Sequence, residues 1–474
     1  MRTIRIAFLS AGLCAGFLAV AQAQQAAPTV EGDWQGILVA AGQNIRLAVH
    51  IKRADGGLLT GTFDSVDQGA MGLRIDTVTV NGSTVRLDMK APVARYEGTL
   101  SGDGSKIEGA WMQSGGSFPL TFTRGAPAAL RRPQEPKRPY PYTDEEVTYQ
   151  NKAAAIALAG TLTLPRATTP VPAVILISGS GPEDRDETVF GHKPFLILAD
   201  HLTRNGIAVL RVDDRGVGGS SGKTSASTSE DFAGDVQAGI DYLKARKEID
   251  PKRIGLIGHS EGGLIAPLVA NRSTDVAFIV LLAGPGLPGD EILLLQGAAI
   301  ARASGAPEQA IAANRASQEE IFRIVKEEKD VPAMMSRLHQ VEEKVLAGIP
   351  EDQRVAARGV LDAQMAAVTT PWFRYFLTYD PRPALQNVTV PVLALFGDKD
   401  LQVPWQPNLE AMDAAFKSGG NSHVTLTHLA GLNHLFQNAT TGAPSEYNAI
   451  EETMAPAALD AITSWLAKTT GPKS

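Results

Sequence analysis

The chain of 474 residues carries a single cysteine, Cys14, so no intramolecular disulfide can form. It contains neither a C-x-x-C pair nor an H-E-x-x-H string, and no metal or other cofactor is expected from its motifs. Positive charge is in deficit. Lys and Arg number 44 against 51 Asp and Glu, a formal net charge of -7, which argues against a nucleic-acid groove or an anionic membrane surface. Beyond the N-terminus no apolar run is long enough to cross a bilayer, so no stable membrane span is expected in the mature chain.

The one apolar run covers residues 6–20, after M-R-T-I-R and before Ala21-Gln22-Ala23. A basic start, a short apolar centre and an A-x-A site describe a secretory signal peptide over residues 1–23, with an uncleaved anchor as the alternative. In a bacterium this implies a periplasmic or secreted protein. Cys14 lies inside the run, and Leu13 is not the small residue that should precede a lipid-modified cysteine. The mature chain is thus free of thiols; export permits disulfides without requiring them.

The remaining stretch of roughly 450 residues is enough for two or three domains. Residues 28–125 read as a small β domain. Apolar alternation runs through 45–52 and 73–89, with Asn81-Gly82 as a hairpin signal and Ser101-Gly102-Asp103-Gly104 as another turn. About seven short strands and no helical period predict an antiparallel barrel or sandwich. Trp34 and Trp111 are expected in its core rather than around a ligand. Residues 126–143, rich in proline and basic side chains, read as a semi-rigid linker with solvated charge.

After the linker the pattern changes. A hairpin over 147–164 precedes strand candidates at 173–178, 207–212, 254–257, 276–282, 392–396 and 424–428. Helical stretches alternate with them at 193–203, 231–245, 263–271, 406–416 and 456–468. Such alternation predicts an α/β fold with a mostly parallel sheet covered on both faces, built from residues 144–284 and 389–470. Residues 285–388 are too long for a simple crossover. They read as amphipathic helices at 291–303, 317–328, 331–346 and 354–368, an inserted cap over the carboxyl ends of the strands, where ligands bind in such sheets.

The most informative stretch is R-I-G-L-I-G-H-S-E-G-G-L-I-A-P-L-V-A, residues 253–270. An apolar strand runs into Gly258-His259-Ser260-Glu261-Gly262, and an apolar helix follows at once. Strand, G-x-S-x-G and helix in that order make a nucleophile elbow, which would expose the Ser260 hydroxyl above the sheet. Gly218-Gly219-Ser220-Ser221-Gly222 fits the same string, but polar residues follow it, so it reads as a loop. Gly222-Lys223-Thr224 is no phosphate loop either, because Val217 stands where the first glycine is needed.

An activated serine needs a base and a group to orient the base. Of the histidines after Ser260, His339 falls in the cap, His428 in a strand and His423 on that strand's amino-terminal side. His434, in Gly431-Leu432-Asn433-His434, follows the last strand and is the expected base. For the acid, Asp398 and Asp400 both follow the strand at 392–396. Asp400 is favoured because the carboxylate must come from a loop that turns back over the strand ends; Asp398 stays open. Asp290 is read as the N-cap of the first cap helix. The oxyanion donors are expected to be the N–H of Glu261, at a helix N-terminus, and that of Ser180, in the glycine-bearing loop Gly179-Ser180-Gly181-Pro182.

From about residue 147 to the C-terminus, these residues resemble α/β-hydrolase fold serine esterases. The resemblance is to secreted or periplasmic bacterial carboxylesterases with a small N-terminal β domain. It is carried by S-G-S-G-P-E-D-R-D-E (178–187), L-R-V-D-D-R-G-V-G-G-S (210–220), G-H-S-E-G-G (258–263), G-D-K-D-L-Q-V-P (397–404) and G-L-N-H (431–434). D-S-V-D-Q-G (64–69) and W-M-Q-S-G-G (111–116) are similar to strings in the accompanying β domain. The resemblance implies Ser260, Asp400 and His434 as the catalytic triad. The expected activity is hydrolysis of short- to medium-chain carboxylic esters, small-molecule substrates, through an acyl-enzyme. A serine peptidase of the prolyl-oligopeptidase-like or proline-iminopeptidase-like kind is the alternative; for it, the cap offers Glu319, Glu320, Glu327 and Glu328.

Overall fold

The computed structural model describes residues 29–40, 43–54, 56–66, 70–90, 93–113, 116–125, 131–351 and 354–471. The proposed signal peptide and Cys14 lie outside the described residues, as do parts of the linker and of the two β-domain strings. Among the described residues no helix is long and apolar enough to cross a membrane.

The N-terminal region is one antiparallel sheet. Its strands are β1 (Gly32–Ala40), β2 (Gln43–Arg53), β3 (Leu59–Ser65), β4 (Ala70–Ile75), β5 (Thr77–Asn81), β6 (Thr84–Lys90), β7 (Val93–Leu100), β8 (Lys106–Gln113) and β9 (Gly116–Arg124). Their order is β4-β3-β2-β1-β9-β8-β7-β6-β5. The run that reads as continuous before Asn81 breaks at Asp76, which adds one strand, and β3 adds another, so nine strands stand where about seven were expected. That break sends β4 to one edge and β5 to the other, and β3 packs against β5 and β4 against β6, so the sheet curls towards a barrel. Side chains alternate in and out, most plainly along β7. Trp34 and Trp111 are both buried in the interior, with Trp111 stacked on Phe63 at 4.8 Å between ring centres.

The second sheet has the order β10-β11-β13-β12-β14-β15-β16-β17. Its strands are β10 (Thr143–Asn151), β11 (Ile156–Leu164), β12 (Val171–Ile177), β13 (Ala208–Val212), β14 (Ile249–His259), β15 (Phe278–Leu282), β16 (Val392–Gly397) and β17 (Val424–Leu429). β10 and β11 form the antiparallel hairpin, β11 pairs antiparallel with β13, and the rest are parallel. Period-2 alternation splits each central strand between two cores: Ala173, Ile175 and Ile177 face one side of β12, Val174 and Leu176 the other. Helices α2 (Ser229–Lys244), α3 (Glu261–Ala270) and α10 (Trp405–Ser418) cover the first face. Helices α1 (Pro194–Arg204) and α12 (Pro456–Thr470), the latter preceded by the single turn α11 (Pro444–Tyr447), cover the second. This is an α/β-hydrolase architecture.

Between β15 and β16 the chain forms α4 (Gly289–Ala303), α5 (Glu308–Glu327), α6 (Val331–Ala347), α7 (Arg354–Val368), α8 (Pro371–Thr378) and α9 (Arg382–Gln386). They bury a core of their own around Phe322, Met334, Leu338, Met365 and Leu377. Three details depart from expectation. Helix α5 begins at Glu308 rather than near 317, because its first turns are good helix formers that bury only Ile311 and so show little apolar period. Helices α8 and α9 were not anticipated, although Thr370 caps α8 by accepting the Phe373 N–H at 3.3 Å and Pro371 opens it, a legible start signal. Asp290 lies in the first turn of α4, whose N-cap is Pro288, and its carboxylate pairs with Lys326.

The linker is docked at its far end. The Arg132 guanidinium donates to the carbonyls of Phe190, Gly191, Asn448 and Ile450, all at 3.0 to 3.1 Å. Gln134 accepts the Thr453 N–H and donates to the Met454 carbonyl. Arg132 is therefore spent on loops that flank the second sheet and is not solvated charge.

Candidate active site

Strand β14 ends at His259 and helix α3 starts at Glu261, leaving Ser260 alone in the turn with φ 52° and ψ -116°. A positive φ at a non-glycine residue is strained and persists only where the surroundings enforce it. Here the Ser260 N–H donates to the Leu282 carbonyl at 2.8 Å, and the Gly263 N–H donates back to the Ser260 carbonyl at 2.9 Å. The flanking glycines are steric necessities. A Cβ on Gly258 would lie 2.0 Å from the Gly262 carbonyl oxygen, and one on Gly262 would lie 2.1 Å from that of Ile177. Ser260 is half-buried at the carboxyl end of the sheet. The rival string at 218–222 forms a loop, in which the Ser220 hydroxyl donates to the Asp213 carbonyl.

His434 and Asp400 are brought together from loops after β17 and β16. Asp400 Oδ2 accepts from His434 Nδ1 at 2.8 Å, and both side chains are buried. Asp400 Oδ1 is held by the N–H groups of Gln402 and Val403 at 2.8 and 2.9 Å. Asp398, the open alternative, is exposed and accepts the Gly431 N–H at 2.6 Å, tying down the loop that carries the histidine. Asn433 folds that loop further by accepting from the N–H groups of Leu435 and Gln437. The other histidines stand elsewhere: His428 stacks on Trp405, His339 is exposed on α6, and His423 precedes β17.

Glu261 has its side chain buried. Its carboxyl group accepts from the Ser229 hydroxyl at 2.5 Å and from the Trp372 indole N–H at 2.8 Å, which pins α8 of the cap to the elbow. Burial pushes the Glu261 carboxyl up to about 7. On the other side of Ser260 runs the loop after β12. A Cβ on Gly179 would lie 3.4 Å from the Ser260 Cβ, so this loop passes directly over Ser260, and Ser180 follows it exposed. Two acids back that loop. Asp214 accepts from the Ser178 hydroxyl and the Glu183 N–H at 3.0 Å each. Burial raises Asp214 to about 7 and Glu183 to about 8.

His259 and Glu187 form a buried ion pair beneath the same loop at 2.9 Å. Sequence reasoning assigned His259 only to the elbow and gave Glu187 no role. The arginine and aspartate just before Glu187 are anchors: Arg185 grips Asp213 at 2.8 Å, and Asp186 pairs with Arg211. A cavity of about 40 Å³ behind the loop, lined in part by Ser178, Gly179, Asp214, Phe232 and Ile265, has room for water and not for an acyl chain.

The cap glutamates are engaged with one another's neighbours. Glu319 pairs with Arg315, Glu320 with Lys344, Glu327 with Arg323 and Glu328 with Arg337. Among the described residues one group has ligand atoms close enough for a metal ion, His339, Glu342 and Asp362, within 4.8 Å of one another on α6 and α7. The Arg358 guanidinium lies 3.5 Å from Glu342 and already offsets its charge.

Residues 194–440, a span holding Ser260, Asp400 and His434, match the family described as serine aminopeptidase, S33. Esterase EstD of Thermotoga maritima is 26% identical over 313 residues, covering 65% of each chain. The putative hydrolase YtaP of Bacillus subtilis is 35% identical over 80 residues, 15% of this chain and 27% of that one. The chain thus spans less than two thirds of the length of either relative. Among solved structures, an α/β hydrolase of Penicillium sp. sh18 aligns over 70% of this chain and 99% of its own with a TM-score of 0.43 and 17% identity.

Proposed function

The chain belongs to the serine aminopeptidase S33 family of α/β hydrolases, and from that premise we propose that it is a serine carboxylesterase acting through Ser260, His434 and Asp400. The observation that carries the reading is the buried hydrogen bond from His434 Nδ1 to Asp400, on the same end of the sheet as the strained Ser260 elbow. An ionised carboxylate only accepts, so Nδ1 carries the proton and Nε2 is left as the base. His434 takes the Ser260 proton as the hydroxyl attacks an ester carbonyl. The N–H groups of Glu261 and Ser180 hold the oxyanion, the alcohol leaves with the proton, and water then cleaves the acyl-enzyme by the same route. The likeness to an esterase supports ester over amide substrates. Short- to medium-chain acyl groups and export through residues 1–23 belong to the same proposal; N-terminal sequencing of the exported protein checks the latter.

The family description keeps an aminopeptidase as the second reading. The four cap glutamates lend it little, since each already has a cationic partner. The deciding assay sets p-nitrophenyl acetate through decanoate beside alanyl- and prolyl-p-nitroanilide, with wild type and Ser260→Ala. Ester turnover that drops by about 10⁴-fold or more in the variant, with the anilides untouched, is expected. Dominant anilide turnover would move the assignment to peptidase, and an active Ser260→Ala would remove the elbow from the mechanism.

A further inference from the structure

Glu187 takes no part in the steps above, yet it is among the most constrained side chains near them. It is 3% exposed, and its backbone has φ 52°, in the left-handed region. With Arg185 and Asp186 both bound to the end of β13, Glu187 is turned towards the elbow. Its Oε1 accepts from the Gly179 N–H at 2.7 Å and from His259 Nδ1 at 2.9 Å. Its Oε2 is buried without a hydrogen-bond partner, so the carboxylate relies on those two donors. The other ring nitrogen of His259 lies 3.0 Å from the main-chain carbonyl of His434.

The protonation of His259 follows from its partners. A carbonyl oxygen accepts, and so does an ionised carboxylate, so both ring nitrogens must donate and the ring is an imidazolium. Burial, the largest single influence, opposes that charge, but Glu187 together with the His434 carbonyl and Asp400 outweighs it and raises His259 to about 9. The cation sits with its ring centre 4.8 Å from that of His434.

We propose that Glu187 and His259 are a positioning pair for the reaction, holding the loop after β12, the serine elbow and the main chain of the base in one frame. The inference rests on the Ser260–His434–Asp400 reading. Each of those three segments comes from a different crossing of the sheet, and the pair is bonded to all of them: Gly179 N–H on the first, His259 itself on the second, the His434 carbonyl on the third. Reacting groups must be held to within about 0.5 Å, and a misplacement of about 1 Å removes roughly 10²-fold in rate. The pair also sets a local field. A fixed cation beside His434 opposes protonation of the base, against the carboxylates of Glu187, Asp400 and Glu183 that face His259.

The test compares His259→Gln and Glu187→Gln with wild type on a p-nitrophenyl ester, reading kcat, KM, the acid limb of kcat/KM and the reactive fraction by fluorophosphonate titration. Per reactive site, kcat is expected to fall about 10- to 100-fold with KM changed less than about threefold, and the acid limb to move to higher pH in both variants, directly in His259→Gln and in Glu187→Gln because His259 gives up its proton once its counter-ion is gone. Unchanged kcat and acid limb, or a rate loss that merely tracks the reactive fraction with the limb unmoved, would overturn the proposal. A second measurement avoids the variants. In a His50→Gln background, which removes the imidazole paired with Asp33 and Asp64, ¹⁵N-histidine NMR should show a ring doubly protonated at pH 8. If every ring is neutral there, the pair is not ionic and the inference fails. Ester turnover by Ser260→Ala would instead sink the triad reading itself, which separates the two failures.

Discussion

The carboxylate that meets His434 is selected by the shape of one turn. Strand β16 ends at Gly397, so Asp398 leaves the sheet at its exposed edge and binds the Gly431 N–H. Two residues later the chain has turned back, and Asp400 is buried with one oxygen on the Gln402 and Val403 amides and the other on His434. Replacing Asp400 with Asn keeps the shape but presents the wrong donor pattern to the imidazole, and kcat is expected to fall by about 10³- to 10⁴-fold. Asp398→Asn retains an oxygen that accepts from Gly431 and should stay within about threefold of wild type. Steady-state kinetics on one ester checks both; equal losses would mean the loop, not the acid, is what the substitutions disturb. The serine and histidine were legible because each sits in a string whose neighbours fix its setting. The choice between Asp398 and Asp400 needed the direction of a turn, and Glu187 was beyond reach because its partner His259 lies 72 residues away in sequence.

Elements converge on the site through burial, and burial leaves carboxyl groups short of water. The first turn of α3 contributes Glu261, the end of β13 contributes Asp214, and the loop after β12 contributes Glu183, raised by desolvation to about 7, 7 and 8. In each case the folded pKa lies above the unfolded one. Stability from such groups is fully present below the unfolded values and is lost as pH rises through the folded ones. The melting temperature should therefore fall between about pH 5 and pH 8.5. Glu261→Gln, which keeps an acceptor for Ser229 and Trp372 without a titrating proton, should flatten part of that slope. A melting temperature that is level or rises over the window would show these groups ionised in the fold. Elements with a strong period were readable from sequence: the alternation of the parallel strands and the stripes of α1, α2 and α12 match what they bury. Helix α8 went unread although Thr370 and Pro371 mark its start, because eight residues are too few to establish a helical period, and its Trp372 bond to Glu261 joins residues far apart in sequence.

At the scale of the whole chain, the part that folds with the hydrolase sheet begins before its first strand. Proline and basic residues between the two sheets look like a spacer, but the side chains of Arg132 and Gln134 are bound to the part of the chain that holds the hydrolase sheet. Arg132 alone satisfies carbonyls in two separate loops, at 190–191 and at 448–450. The second of these leads to Met454, whose neighbour Ala455 donates its N–H to the carbonyl of Phe436, two residues beyond His434. Removing the guanidinium strands those carbonyls in a partly buried place, a loss of about 1–3 kcal/mol. For a unit of this size, that corresponds to a melting temperature lower by about 1–4 °C. Two truncations separate the spacer from the clasp. A chain starting at residue 131 should melt with the same catalytic transition as the full protein and keep its ester kcat. One starting at residue 136, which lacks Arg132 and Gln134, should melt lower and lose activity on warming before the longer chain does. Calorimetry beside an ester assay reads both. If the two truncated chains behave alike, the clasp contributes nothing and the boundary belongs at the first strand; if both fail, the N-terminal sheet itself is part of what holds the hydrolase together.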